Sequence, residues 1–167
     1  MRHITAQNGD LIPVKTTIPE IAKSLSKICR YGGDVDRFYS VAEHSVLMAQ
    51  EILRLGGSKE EAKSILLHDA EEATWCDIKR GLKDYITGYR FLADATSALI
   101  FEIHHIQPMT ERCHWLDTNI VHDEASVLFD VVPEWINQYE PTGIEISVLT
   151  CDQAETAFLY MWEYLKS

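Results

Sequence analysis

The chain opens with two short extended runs and then shifts to the spacing of helices. Ile4-Thr5 and Leu11-Ile12 flank Asn8-Gly9, a two-residue turn signal, so the first fourteen residues are expected to form a small β-ribbon. Thr17-Ile18-Pro19-Glu20 is a capping box with proline in the first turn, and Ile21, Leu25 and Ile28 share one face of a first helix running to Cys29. Ser40-Val41-Ala42-Glu43 opens a second, whose apolar face carries Val41, Leu47, Met48, Ile52 and Leu55 until Gly56-Gly57 stops it. Ser58-Lys59-Glu60-Glu61 caps a third, with the stripe Ala62, Ile65, Leu66 and Ala73, and Gly81 breaks the chain beyond it. Further helices are expected from Tyr89 to His105, from Glu111 to Phe129, and after the cap Thr150-Cys151-Asp152-Gln153, with 133–143 as a connecting loop. No strong strand periodicity competes and no internal repeat is present, so the expected fold is all-α with an N-terminal β-ribbon.

Length and charge narrow the function classes. A chain of 167 residues is expected to form one domain over 1–167 around a single core. Its 26 acidic against 15 basic residues leave a net charge of -11, which repels long polyanions and argues against a nucleic-acid polymer or an anionic membrane as partner. A phosphate substrate would need a local reversal of that sign. No apolar run approaches the roughly 20 residues of a membrane span, and no signal-peptide core follows Met1-Arg2-His3-Ile4-Thr5. Cys29, Cys76, Cys113 and Cys151 are widely spaced and read as reduced thiols, which with the missing signal core gives a cytoplasmic expectation. Phe158, Tyr160, Trp162 and Tyr164 are expected to be exposed aromatics able to form the contact of a homo-oligomer.

Three helices carry ligand-type residues in line with their apolar faces, where burial is costly unless something satisfies them. His44 shares its stripe with Val41, Leu47 and Met48; His68 and Asp69 follow Ile65 and Leu66; Asp117 lies between Cys113 and Ile120-Val121. Two imidazoles and two carboxylates suit one divalent cation and leave positions open for water or substrate. Adjacent helical residues diverge by about 100°, so the cation would sit beside the helix in the angle between His68 and Asp69. An inward histidine is more often a hydrogen-bonded core residue than a ligand, and chance alone supplies about half a His-Asp pair at this composition. The residues by themselves leave both readings open. A second copy, His122-Asp123, lacks the apolar approach run and the carboxylates a turn later, and reads as surface.

The stretches from Ile21-Ala22 to Arg30-Tyr31-Gly32, FYSVAEHS (38–45), LLHDAEEA (66–73), Asp77 with Lys83, and LDTNIVHDEA (116–125) resemble the HD-domain metal-dependent phosphohydrolases over most of residues 17–129. The resemblance implies an HD-domain helical bundle. Within that superfamily the chain is similar to bacterial 5′-deoxynucleotidases and to the dATP triphosphohydrolases of phages that replace adenine with 2-aminoadenine. It implies His44, His68, Asp69 and Asp117 as ligands of one divalent transition metal, with Mn, Fe, Co, Ni and Zn equally compatible. Glu72 and Asp77 match the catalytic acidic pair; Glu72 lies at i+4 from His68, and of the adjacent Glu71 and Glu72 only one can face the site. Arg30 and Lys83 match the phosphate-binding cations. The implied reaction is in-line attack of activated water on phosphorus, with a small-molecule deoxynucleotide as substrate.

The leading expectation is a dATP-type deoxynucleoside triphosphate triphosphohydrolase. A 5′-deoxynucleotidase acting on monophosphates is the alternative, and a non-catalytic nucleotide-binding module is the reading from a different class. Tyr31 stands where the bacterial enzymes carry tryptophan, which leaves base and sugar selection open. Tyr31, Phe38 and Trp75 are candidates to stack on a base, and Arg37 and His114 are candidates for contact with a phosphate tail.

Overall fold

The computed structural model describes residues 2–167. Strands β1 (Arg2–Thr5) and β2 (Leu11–Val14) pair antiparallel, Ile4 facing Ile12, so the ribbon forms where Asn8-Gly9 places the turn. Among the described residues eight helices follow: α1 (Ile18–Leu25), α2 (Val41–Arg54), α3 (Lys59–Leu66), α4 (Glu72–Trp75), α5 (Arg80–Lys83), α6 (Tyr89–His104), α7 (Glu111–Leu128) and α8 (Cys151–Lys166). The protein is therefore mostly helical with a two-stranded N-terminal sheet.

The capping residues act as the pattern suggests. Ser40 Oγ accepts from Glu43 N at 3.1 Å, and the boxes Ser58/Glu61 and Thr150/Gln153 close α3 and α8. Gly56, at a φ of 76°, ends α2 in a conformation that costs a glycine nothing. Helices α1, α2, α3 and α8 bury one continuous core that includes Ile21, Leu25, Met48, Ile52, Ile65, Leu66 and Phe158. Among the described residues no helix is long and apolar enough to cross a membrane.

Several expectations need correction, and the first two shape the site. Helix α1 stops at Leu25 rather than Cys29, because the chain after it turns and runs extended beside the segment ahead of α2. Val41 N donates to Ile28 O and Arg30 N to Tyr39 O, which lays Arg30 near the start of α2. The third helix does not continue to Ala73 either. It ends at Leu66, and residues 67–71 pass through tight turns, in which Ala70 N bonds Leu67 O and Glu72 N bonds Asp69 O, before α4 begins at Glu72. His68 and Asp69 are thus freed from the divergence a helix would impose. Leu55 lies past the end of α2 and is 46% exposed, and Leu47 is half-buried.

Two surface expectations change as well. Phe158 and Trp162 belong to the core; Tyr160 and Tyr164 are the exposed rings of α8. Asp123 is half-buried and accepts from Thr142 N, Thr142 Oγ1 and Gly143 N at 2.7 to 3.1 Å. The loop over 133–143, which includes a 3₁₀ turn at Glu134–Gln138, is thereby tied to α7.

Candidate metal centre

Four side chains converge from three parts of the fold. His44 comes from α2, His68 and Asp69 from the turn that ends α3, and Asp117 from α7. His68 Nε2 lies 3.1 Å from Asp69 Oδ2 and 3.4 Å from Asp117 Oδ1; His44 Nε2 lies 3.6 Å from Asp117 Oδ1 and 3.9 Å from Asp69 Oδ2. Donors sharing one cation at about 2.1 Å stand about 3.0 Å apart at a right angle and about 3.4 Å apart at the tetrahedral angle. The observed spacing is of that kind, slightly opened.

The orientation of the imidazoles supports the same use. His68 Nδ1 donates to Ile65 O at 2.7 Å, since a carbonyl can only accept, and His44 Nδ1 meets Glu124 Oε1 at 2.6 Å. Both rings therefore turn Nε2 inward, and both Nε2 atoms are buried without a hydrogen-bond partner. An acceptor oxygen on Nδ1 is the usual backing for a histidine that ligates through Nε2. His44, His68 and Asp117 form a group able to hold a metal ion, and Asp69 Oδ2 lies within 3.9 Å of both imidazole nitrogens.

The local field favours a cation. Burial opposes ionisation of Asp69, but the His68 ring beside it holds that carboxyl below the usual range. Burial likewise opposes ionisation of Asp117, and the His44 and His68 rings outweigh it. The two carboxylates in turn raise the proton affinity of His68 well above that of a free imidazole, against the effect of burial. The same negative potential would favour a divalent cation at these donors in place of the proton.

Behind His44 stands a residue to which the sequence pattern assigns no role. Glu124 is fully buried and accepts from Arg30 Nη2 at 3.2 Å and from Tyr31 OH at 2.5 Å as well as from His44. Burial opposes its ionisation, yet the Arg30 guanidinium and the His44 ring hold its carboxyl at about 2. The available signal was its position two turns beyond Asp117 on one helix face.

The two carboxylates of the cluster, Asp69 and Asp117, open onto a cleft of about 510 Å³, within the range of small-molecule sites. Arg30, Tyr31, Glu72, Asp77 and Lys83 line it together with Asp69 and Asp117, and Glu71 does not. Contrary to expectation, Glu71 and Glu72 both turn toward Asp69, with one oxygen of each of the three within 4.8 Å of the others, because the turn at 67–71 replaces the helix. Arg30 Nη1 lies 3.7 Å from Asp69 Oδ2, so its guanidinium borders the ligand cluster. Lys83 Nζ donates to Glu72 Oε1 at 3.0 Å. Burial pushes the Glu72 carboxyl up to about 9, and the Asp69 and Asp77 carboxylates push the same way against the pull of Lys83.

Some expected residues lie elsewhere. Arg37 donates to Val127 O at 2.6 Å and to Asp130 Oδ1 at 2.9 Å, so it fastens the end of α7 and does not line the cleft. Trp75 donates its indole N–H to Thr96 Oγ1 at 2.9 Å, tying α4 to α6. Phe38 and His114 are exposed and outside the lining. In their place the cleft is lined by Asp34, Lys79, Phe129, Trp135 and Tyr139, with Lys79 and Asp34 paired at 3.0 Å.

No protein-family model matches the chain. Over 92 residues it is 39% identical to the uncharacterized protein YfdR of Escherichia coli (strain K12), a match that covers 55% of this chain and 49% of that protein. The aligned segment spans about half the length of that relative.

Proposed function

We propose that the chain is an HD-domain, divalent-metal-dependent phosphohydrolase acting on deoxynucleotides. The observation that carries this reading is the convergence of the buried Nε2 atoms of His44 and His68, which make no hydrogen bond, on the carboxylates of Asp69 and Asp117, with Arg30 beside them. A cation held by these four residues supplies Lewis acidity, which neutralises phosphoryl charge and acidifies water. Arg30 binds the phosphate in this reading; its buried guanidinium, anchored by Glu124, offers fixed N–H donors where the acidic protein needs positive charge. Glu72, kept protonated at neutral pH by burial, gives its proton to the departing oxygen, and Lys83 holds that carboxyl in place. Asp77 lines the same cleft and orients one of these partners.

In the triphosphatase form of this reading, water adds to the α-phosphorus and the sugar oxygen departs, releasing nucleoside and triphosphate. The cleft cations available to a phosphate tail are then Lys83 and Lys79. One observation favours the 5′-deoxynucleotidase form: Arg37, expected to grip the tail, points away from the cleft.

The test is a metal-reconstituted screen of deoxynucleoside mono- and triphosphates with product identification. Equal amounts of nucleoside and triphosphate from dATP support the first form. A higher kcat/KM for monophosphates, with orthophosphate as product, supports the second. Absence of chelator-sensitive hydrolysis with all of Mn, Fe, Co, Ni and Zn overturns the proposal.

A further inference from the structure

The cleft has a second part whose chemistry the phosphate reaction does not use. Tyr31, Phe129, Trp135 and Tyr139 line it without adding charge. Their rings touch in sequence: Tyr31 and Phe129 meet edge to face at 5.7 Å, Phe129 and Trp135 at 6.2 Å, and Trp135 and Tyr139 at 6.3 Å, while Tyr31 and Trp135 lie 6.3 Å apart at a shallow 30°.

An aromatic cluster of this kind is ordinarily core, and part of this one is. Tyr31 and Phe129 pack against the small buried group of Tyr39, Leu128 and Ile146. Trp135 is outside that group and leaves 39% of its surface open. Its segment is nevertheless held firmly. Asn119 Oδ1 accepts from Glu140 N at 2.8 Å, and Asp123 accepts from Thr142 and Gly143, so two side chains of α7 fix the loop that carries the indole. The turn around Trp135 itself buries Ile136 alone. Polar anchoring of a loop that adds so little to the core holds an exposed aromatic ring over a cavity, as a preformed binding surface requires.

Short distances link these groups in turn: Arg30 Nη1 lies 3.7 Å from Asp69 Oδ2, its Cζ lies 5.5 Å from the Tyr31 ring centroid, and the Tyr31 and Trp135 ring centroids are 6.3 Å apart. A phosphate held at Arg30 would therefore place whatever it carries across Tyr31 and against Trp135.

We infer that Trp135, supported by Tyr31, Phe129 and Tyr139, is the seat of the planar base of the substrate and determines its affinity. This rests on the nucleotide reading above, because a phosphate ester without a flat ring has no use for the wall. Stacking is tolerant of which base is present, since every base offers a π face. The wall thus favours nucleotides over sugar phosphates and does not by itself choose among bases.

Two probes that cannot turn over are used: deoxyadenosine, the nucleoside product of either form, and inorganic phosphate, the product of the monophosphate form and a minimal phosphate ligand for the other. The metal-loaded protein is titrated with deoxyadenosine and, separately, with inorganic phosphate, by calorimetry or NMR. Trp135→Ala should weaken deoxyadenosine on the order of tenfold and leave phosphate affinity unchanged, which also shows an intact cleft. Trp135→Phe should restore most of the loss. Deoxyadenosine binding equal in Trp135→Ala and the parent, or a parallel loss of both probes, overturns the inference. Nucleotide hydrolysis with unaltered KM in Trp135→Ala overturns it while leaving the proposed activity standing. Deoxyadenosine binding that depends on Trp135, in a protein that neither binds phosphate nor hydrolyses any ester, supports the seat and refutes the phosphohydrolase.

Discussion

The bundle of α1, α2, α3 and α8 is held mainly by apolar packing, whereas the cleft beside it gathers charged side chains. In the bundle, apolar stripes close on one another and the helix ends are satisfied by near neighbours, as Ser58 and Glu61 do for α3. At the cleft and the histidines beside it, Arg30 Nε, His44 Nε2, His68 Nε2 and Glu72 Oε2 are buried without hydrogen-bond partners, and Glu43 Oε1 and Ser64 Oγ share that state on α2 and α3. Such groups cost stability in a protein that uses them for nothing, and they concentrate where a ligand will complete the set. The bundle bears that cost, and the two regions should therefore separate cleanly under mutation.

The sharpest break is at the ligands. His68→Ala and Asp69→Ala should each lose the bound metal and, with it, activity down to the uncatalysed background, while circular dichroism reports a folded protein. Stoichiometric metal in either folded variant refutes the site.

Next in size is Glu72→Ala, expected to keep the metal and lose roughly 10²- to 10⁴-fold in kcat. Glu71→Ala tests the choice between neighbours, since Glu71 is buried but does not line the cleft. If Glu71→Ala is the variant that loses activity, the proton donor is misassigned. The sign of the pH dependence comes from the same carboxyl. It is protonated below its raised pKa of about 9, so the parent's kcat should hold through neutral pH and fall as pH rises through about 9. A profile flat to pH 10 rules out Glu72 as the acid.

Phe158→Ala attacks the bundle instead, and it should cost about 3 to 5 kcal/mol of unfolding free energy with metal affinity unchanged in the folded protein. Denaturant titration beside metal titration reads both. Glu124→Gln works at the border of the two regions. It removes the charge that holds Arg30 and backs His44, and should weaken metal affinity roughly 10- to 100-fold. A Glu124→Gln protein that binds metal as tightly as the parent would show that His44 is oriented by packing alone.

Much of the frame was legible in the chain because its causes are local. The capping residues Thr17, Ser40, Ser58 and Thr150 sit where α1, α2, α3 and α8 begin, and Asn8-Gly9 turns the ribbon. The inward placement of His44, His68, Asp69 and Asp117 was also readable, since each lies beside an apolar stripe that had to be buried. Periodicity could not supply the departures from itself. A continuous helix through 67–73 agreed with the apolar spacing, but His68 Nδ1 takes the Ile65 carbonyl that the next helical amide would have used. The resulting turn brings His68 and Asp69 to a common centre.

Tertiary structure alone decided the rest. Glu124 reads as one more acidic residue of a helix until the fold sets it against Arg30, Tyr31 and His44, partners from 80 to 94 positions away. Arg37 and Lys79 read alike as loop cations, and only the packed chain turns one onto Asp130 and the other into the cleft. Trp135 lay in a stretch with no helical or strand period, and the loop that follows it is tied to α7 through Asn119 and Asp123. Caps and periodicity act over a few residues and can be read in order; the pairing of a buried charge, and the ring a loop holds over a cavity, depend on groups that meet only when the chain has folded.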